Sequence, residues 1–191
     1  MLTKDEVISI FQNTQAMLTG HFKLTSGRHS DRYFQCALVL QHPEHTEVLC
    51  GELARRFAGQ NVSVVVGPAI GGIIVSYEVA RALGVRGIFT EREDGNMKLR
   101  RGFSIMPGER VLVVEDVITT GGSVFEVIDL IRELGGEVVG AGVLADRSNG
   151  KIDLGVRTEA LLTTEVISYA HEDCPLCRQG LPVVKPGSRN I

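Results

Sequence analysis

Residues 110–124 read RVLVVEDVITTGGSV, and the fold turns on how this stretch is read. Val111 to Val114 is an unbroken aliphatic run, the composition of a central parallel strand buried on both faces. Glu115 and Asp116 end it, because two adjacent carboxylates are costly in a core without partners. Thr119, Thr120, Gly121, Gly122 and Ser123 then form a turn of small residues, where glycine lets a ligand approach the backbone closely. Val124 to Leu134, apolar at Val124, Val127, Ile128 and Ile131, is predicted as a helix whose first N–H groups point into that turn. Such a turn is an anion site, most naturally for a phosphate. The neighbouring acids suit sugar hydroxyls or a hard cation such as Mg²⁺. A lone glycine pair would only close a tight loop. Here the acids, both threonines, both glycines and the serine all fall within nine residues of the strand end. The stretch contains neither the GKS/GKT of a Walker loop nor a GxGxxG dinucleotide fingerprint.

Outward from this unit the pattern repeats. VSVVVG (62–67) is a buried strand ending in GPAIGG (67–72), followed by a helix Ile73 to Leu83 and a strand Val85 to Thr90. A strand Val138 to Ala145 follows the central helix and ends in Asp146 and Arg147. Strands alternating with helices imply crossovers and a parallel sheet covered on both faces. Ligands on such sheets sit beyond the carboxyl ends of the strands. GPAIGG, the Glu91 stretch, the central turn and ADRS all fall there. GPAIGG offers backbone N–H groups to a second anion, as a pyrophosphate donor requires. Residues 91–102, EREDGNMKLRRG, carry the cations Arg92, Lys98, Arg100 and Arg101, and their position favours a mobile lid over a merely solvated hairpin.

The first forty or so residues are less regular. Thr3 and Glu6 have capping-box spacing at the start of a helix running to Thr14. Gly20 to Arg28 is a polar, glycine-flanked segment, Arg32 to Leu40 has strand composition, and Pro43 opens a helix to about Phe57. No linker divides the chain, so 1–191 is expected to be a single domain in which about 1–40 contribute to a small lobe. The net charge of −3 argues against a generic nucleic-acid binder. No apolar run reaches the roughly 18 residues of a membrane helix, and MLTKDEVISIFQ is not a signal peptide. Four cysteines in 191 residues do not make a disulfide scaffold, so a cytoplasmic location is expected. Cys174 and Cys177 form CPLC. Two more thiols at matching spacing would suggest zinc, but Cys36 and Cys50 are distant, and packing is the expected role. The five histidines show no HxH or HxxxH spacing, and none is expected to be catalytic.

The central stretch resembles the phosphoribosyl-pyrophosphate (PRPP) motif of type I phosphoribosyltransferases. GHFKLTSGRHSDRYF, GPAIGGIIVSYEVARALG, FTERED, LRRGF, ADRS and CPLCRQGLPVVKPGSR together resemble the short-loop branch of the orotate phosphoribosyltransferases over nearly the whole chain. The resemblance implies an α/β fold, a Rossmann-like parallel sheet flanked by helices. A small hood would be formed by the N-terminal segment, with the C-terminal segment as a second contributor. It implies transfer of the ribose 5-phosphate group of PRPP to orotate in pyrimidine (UMP) biosynthesis. The partners are then these small molecules rather than nucleic acid or membrane, with Mg²⁺ bound mainly through PRPP and a homodimer whose lid reaches the neighbouring site. Glu115 and Asp116 would serve the ribose hydroxyls, and Val117, Ile118, Thr119, Thr120, Gly121, Gly122 and Ser123 the 5′-phosphate. Thr119, Arg147 and Phe34 would contact orotate. Arg92 would contact pyrophosphate, and Lys98 is the candidate catalytic lysine beside Asp116 and Glu115. Thr25, Ile70, Gly71 and Glu93 stand where the family pattern has other residues. A purine phosphoribosyltransferase would share the donor, but purines have no carboxylate to use Arg147. A PRPP-sensing regulator usually adds a DNA-binding module, and here the N-terminal region is short and the net charge negative.

Overall fold

A computed structural model describes residues 1–24 and 26–186; Thr25 and the 187–191 end of the C-terminal motif lie outside the described residues. In chain order the elements are α1 (Lys4–Asn13), β1 (Met17–Lys23), β2 (His29–Phe34), α2 (Ala37–Leu40), α3 (Pro43–Phe57), β3 (Val64–Pro68), α4 (Gly71–Leu83), β4 (Arg86–Glu93), β5 (Asn96–Leu99), β6 (Arg110–Ile118), α5 (Gly122–Glu133), β7 (Glu137–Asp146), β8 (Thr158–Thr163), β9 (Ser168–Tyr169) and α6 (Pro175–Arg178). Six strands form one sheet in the order β5-β4-β3-β6-β7-β8. All neighbours in it are parallel except the edge pair β4–β5. A second sheet, β1-β2-β9, is antiparallel.

The aliphatic runs explain the layering. Side chains alternate across a strand, and here both faces are dry. Val65, Leu112, Val114 and Leu144 pack with α1, α3 and α4, whereas Val64, Val66, Val111, Val113, Ala141 and Val143 pack with α5. Each such fully buried side chain contributes on the order of 1.5–3 kcal/mol relative to exposure. This is the predicted helix-flanked sheet.

Four details correct the sequence reading. The central strand does not end at the acids: β6 runs through Glu115 and Asp116 to Ile118, because Val117 and Ile118 still pair with Ala145 and Asp146 of β7. Residues 37–40, expected as strand, form α2, with Val39 and Leu40 buried in the core; a short apolar run does not distinguish the two states. The segment from Gly20, read as irregular, belongs to β1, whose register shift between Thr19 and Phe22 breaks the alternation a strand normally displays. Residues 91–99, expected as part of a lid, are built as the ends of a β4–β5 hairpin. Asp94 and Gly95 turn it with φ of 52° and 84°, the two left-handed positions that a two-residue hairpin turn requires. No described helix is long and apolar enough to cross a membrane.

Candidate active site

The phosphate turn is built as its sequence requires. Gly121 caps α5 in the left-handed conformation with φ of 77°, and a Cβ there would come within 3.0 Å of the Ile152 side chain. Phe125 N–H donates to the Gly121 carbonyl at 2.9 Å, so the preceding N–H groups of the first turn have no helical acceptor. They surround a hollow of about 200 Å³ lined by Glu115 and residues 117–124. Thr119, Thr120 and Gly122 are exposed at its mouth.

The 67–72 loop lies against the acid pair. A Cβ on Gly71 would sit 2.5 Å from the Asp116 carboxylate, and one on Gly67 would meet the Gly72 carbonyl oxygen at 2.3 Å. Glycine is therefore needed at both positions for the β3–α4 turn to approach β6. The Ala69–Ile70 peptide is cis, and the Ile70 side chain is 84% exposed.

Glu115 is buried and Asp116 half-buried, and neither forms a salt bridge among the described residues. Glu115 Oε1 accepts from Asp116 N–H at 3.0 Å, and Asp116 Oδ1 accepts from Val117 N–H at 2.8 Å. Burial, followed by the neighbouring Asp116 charge, pushes Glu115 up to about 9. Burial also raises Asp116. Two carboxyls this close and this far from water resist ionising together. A raised folded value means stability present below the ordinary 4.5 and lost as pH climbs through about 9. The melting temperature of the ligand-free protein should therefore fall across this window relative to a Glu115→Gln variant. Parallel melting curves for the two proteins would show that the pair is not held protonated.

Arg147 follows the end of β7, and its N–H donates to the Ile118 carbonyl at 2.9 Å, beside the hollow. Its guanidinium carbon stands 5.7 Å from the Phe34 ring centroid. Its Nε is buried without a hydrogen-bond partner among the described residues, and burial lowers its pKa. An ion pair with the adjacent Asp146 does not form. Asp146 Oδ1 instead accepts from Ser148 N–H and Oγ–H at 2.7 Å each, and Oδ2 accepts from Gly150 N–H at 2.8 Å. Phe34 ends β2 and is buried, so the second sheet brings its last residue to the Arg147 side chain.

The hairpin cations are elsewhere. Arg92 pairs with Glu126 of α5 at 2.9 Å and donates to the Gly95 carbonyl; Lys98 pairs with Glu93 at 2.9 Å, Arg100 with Glu93 at 3.3 Å, and Arg101 with Glu91 at 2.8 Å. None of the four lines the hollow of this chain. Arg92 and Lys98 are thus not brought to the hollow, whereas Thr119 lines it with Glu115, and Phe34 and Arg147 meet each other. The sequence reading also missed a cluster: His21 and His29 converge on Cys174 and Cys177. Spacing along the chain could not reveal it, since the histidines meet only through the pairing of β1 with β2.

An anion turn at a helix start, an acid pair and a second glycine turn at adjacent strand ends define the site of a type I phosphoribosyltransferase. A family model described as the phosphoribosyl transferase domain matches residues 39–158. The orotate phosphoribosyltransferase of Pelotomaculum thermopropionicum is 75% identical over 190 residues, covering 100% of both chains. The crystal structure of orotate phosphoribosyltransferase from Aeropyrum pernix is similar at 30% identity and a TM-score of 0.64, over 82% of this chain and 93% of that one. The Mycobacterium tuberculosis orotate phosphoribosyltransferase in complex with inorganic phosphate is 27% identical, with a TM-score of 0.66 over 84% of this chain and 95% of that one. The chain belongs to the orotate phosphoribosyltransferase family.

Proposed function

We propose that the chain transfers the ribose 5-phosphate group of PRPP to orotate, giving orotidine 5′-phosphate and pyrophosphate in pyrimidine (UMP) biosynthesis, a cytoplasmic pathway. The observation that carries the choice of base is Arg147: a buried guanidinium nitrogen without a partner among the described residues, on a residue whose backbone N–H is bonded to Ile118 of the hollow's lining. A guanidinium fits a carboxylate through two parallel hydrogen bonds, and orotate has a carboxylate where purines have none.

The geometry supports the following roles. Residues 117–123 hold the 5′-phosphate on the N–H groups opening α5. Glu115 and Asp116 accept from the ribose hydroxyls and so fix the sugar as the anomeric carbon acquires oxocarbenium character. The ionised base nitrogen attacks this carbon, so no separate protein base is needed. Positioning and electrostatics supply the catalysis. A buried carboxylate pair without a cationic partner is a hard-oxygen donor set that suits Mg²⁺. Bound together with PRPP, Mg²⁺ would neutralise charge on the departing pyrophosphate. Arg92 and Lys98 add positive charge when the hairpin lies over pyrophosphate. Their self-paired state on this chain supports a homodimer in which the hairpin serves the neighbouring site. Lys98→Ala should lower kcat more than it weakens PRPP binding, because its contact strengthens as charge develops on the leaving group. An unchanged kcat would pass the role to Arg92, Arg100 or Arg101.

The direct test mixes protein, Mg²⁺, PRPP and orotate and follows the ultraviolet absorbance of orotate, with adenine and hypoxanthine run in parallel. Turnover with orotate alone is expected. Turnover with a purine instead would overturn the choice of base, and none with any base would leave a PRPP-binding protein.

A further inference from the structure

We propose that His21, His29, Cys174 and Cys177 form a structural Zn²⁺ site that clamps the C-terminal segment onto the β1–β2 hairpin. The four donor atoms lie within 4.8 Å of one another. His21 Nε2 is 3.6 Å from each sulfur, and Cys177 Sγ is 3.2 Å from His29 Nδ1. A tetrahedral zinc ion with bonds of about 2.3 Å to sulfur and about 2.0–2.1 Å to nitrogen sets sulfur–nitrogen separations of about 3.6 Å and nitrogen–nitrogen separations of about 3.3 Å. The two ring nitrogens, 2.8 Å apart, and Cys177 Sγ with His29 Nδ1, 3.2 Å apart, would have to separate by about half an ångström, and the widest donor pair to close in from within 4.8 Å, by small side-chain rotations.

The His21 tautomer fits as well. His21 Nδ1 lies 2.8 Å from the Leu181 carbonyl oxygen, which can only accept, so Nδ1 carries the proton and Nε2 presents its lone pair to the cluster. A ligating histidine held by a backbone carbonyl is the usual outer support of a zinc site. Two thiolates with two imidazoles are a zinc donor set, and binding releases the two thiol protons to solvent.

A bare hydrogen bond between the histidines would use one proton but give the two thiols beside them no comparable function. In a CxxC redox pair the half-buried Cys177 would be the attacking thiol and the fully buried Cys174 its resolving partner, but neither histidine would then be required. Position supplies a physical reason for the clamp. The second sheet has only three strands, one of them the two-residue β9, and small sheets are marginal on their own. Leu181, Val183 and Val184 leave about half their surface exposed (45%, 49% and 53%), so hydrophobic burial holds the C-terminal segment only weakly. Its backbone nevertheless pairs with β1, Lys23 N–H donating to the Val184 carbonyl and Val184 N–H to the His21 carbonyl, each at 2.8 Å. A metal joining β1, β2 and α6 would fix that pairing. The inference does not depend on the reaction assigned above.

The test uses the full chain prepared under reducing conditions after expression with added zinc. Elemental analysis should find one zinc per chain. Replacement by Co²⁺ should give the intense visible bands of a tetrahedral ion and a thiolate-to-cobalt charge-transfer band. Chelation should lower the melting temperature, and added Zn²⁺ should restore it. Cys177→Ser and His29→Ala should each lose the metal, whereas His171→Ala, whose ring lies 3.7 Å from Cys177 but outside the four, should keep it. The wild-type measurements stand even where a variant fails to fold. Wild-type protein without stoichiometric zinc, a cobalt spectrum without sulfur charge transfer, or a Cys174–Cys177 disulfide in the reduced preparation would overturn the proposal.

Discussion

Asp116→Asn is expected to lower kcat by about 10²–10³, the usual cost of removing one preorganised electrostatic contact. It should do so without lowering the melting temperature of the ligand-free protein. The asparagine side-chain oxygen can still accept from Val117 N–H, now 2.8 Å from Asp116 Oδ1, so the local backbone has no reason to move. What disappears is a negative charge beside a buried glutamate whose pKa that charge helps to raise. Removing it relieves the free protein but deprives the ribose hydroxyls of their strongest acceptor. The variant should thus be as stable as wild type or more so, yet slow. Measuring kcat and melting temperature on the same preparation separates this from a folding defect. Turnover near wild type would rule out Asp116 as the ribose-binding acid.

The same opposition between stability and function shows which parts of the chain were legible beforehand. The aliphatic runs of β3, β6 and β7 are buried on both faces, and nothing but a central strand suits them. The Thr3–Glu6 capping box and Pro43 at the start of α3 fix those helix starts by local hydrogen bonding and by proline's fixed φ. Where local preference and tertiary demand diverge, the reading failed. The bulge in β1 hides its alternation, and the aliphatic run 37–40 serves a helix and a strand equally well. In β6 the pairing with β7 carries the strand through two acids that a core would reject. The Asp94–Gly95 pair was a readable hairpin signal, masked by the polarity of its flanks.

The site divides along the same line. The phosphate turn and acid pair are contiguous in sequence, and the glycine loop announces itself by composition, so these were visible. The buried Met97 and the ion pairs that tie down Arg92 and Lys98 depend on which side chains meet across the hairpin and α5, and cation content alone cannot show that. The His21–His29 approach is more remote still. It depends on β1–β2 pairing, and its sulfur partners arrive from more than 140 residues away in sequence.

Arg147→Gln is expected to weaken orotate binding by about 2–5 kcal/mol, the usual cost of truncating one partner of a buried charge pair. The binding energy of PRPP should hardly change, because its phosphate is assigned to the turn lined by residues 117–124 rather than to Arg147. The fold should tolerate the change. Among the described residues Arg147 forms no ion pair that the substitution would break and its Nε has no partner, and Asp146 is engaged with Ser148 and Gly150. Glutamine retains one donor group but lacks the charge and the paired N–H geometry that match a carboxylate. It also gives up the guanidinium's position 5.7 Å from the Phe34 ring. Calorimetric titration of wild type and variant with orotate, PRPP and uracil distinguishes the possibilities. Uracil has the ring of orotate without its carboxylate, so the substitution should leave its weak binding nearly unchanged. If orotate binds the variant normally, Arg147 does not read the carboxylate. If PRPP or uracil loses as much affinity as orotate, the substitution has disturbed the site generally, and the preference for orotate over a purine must come from some other group.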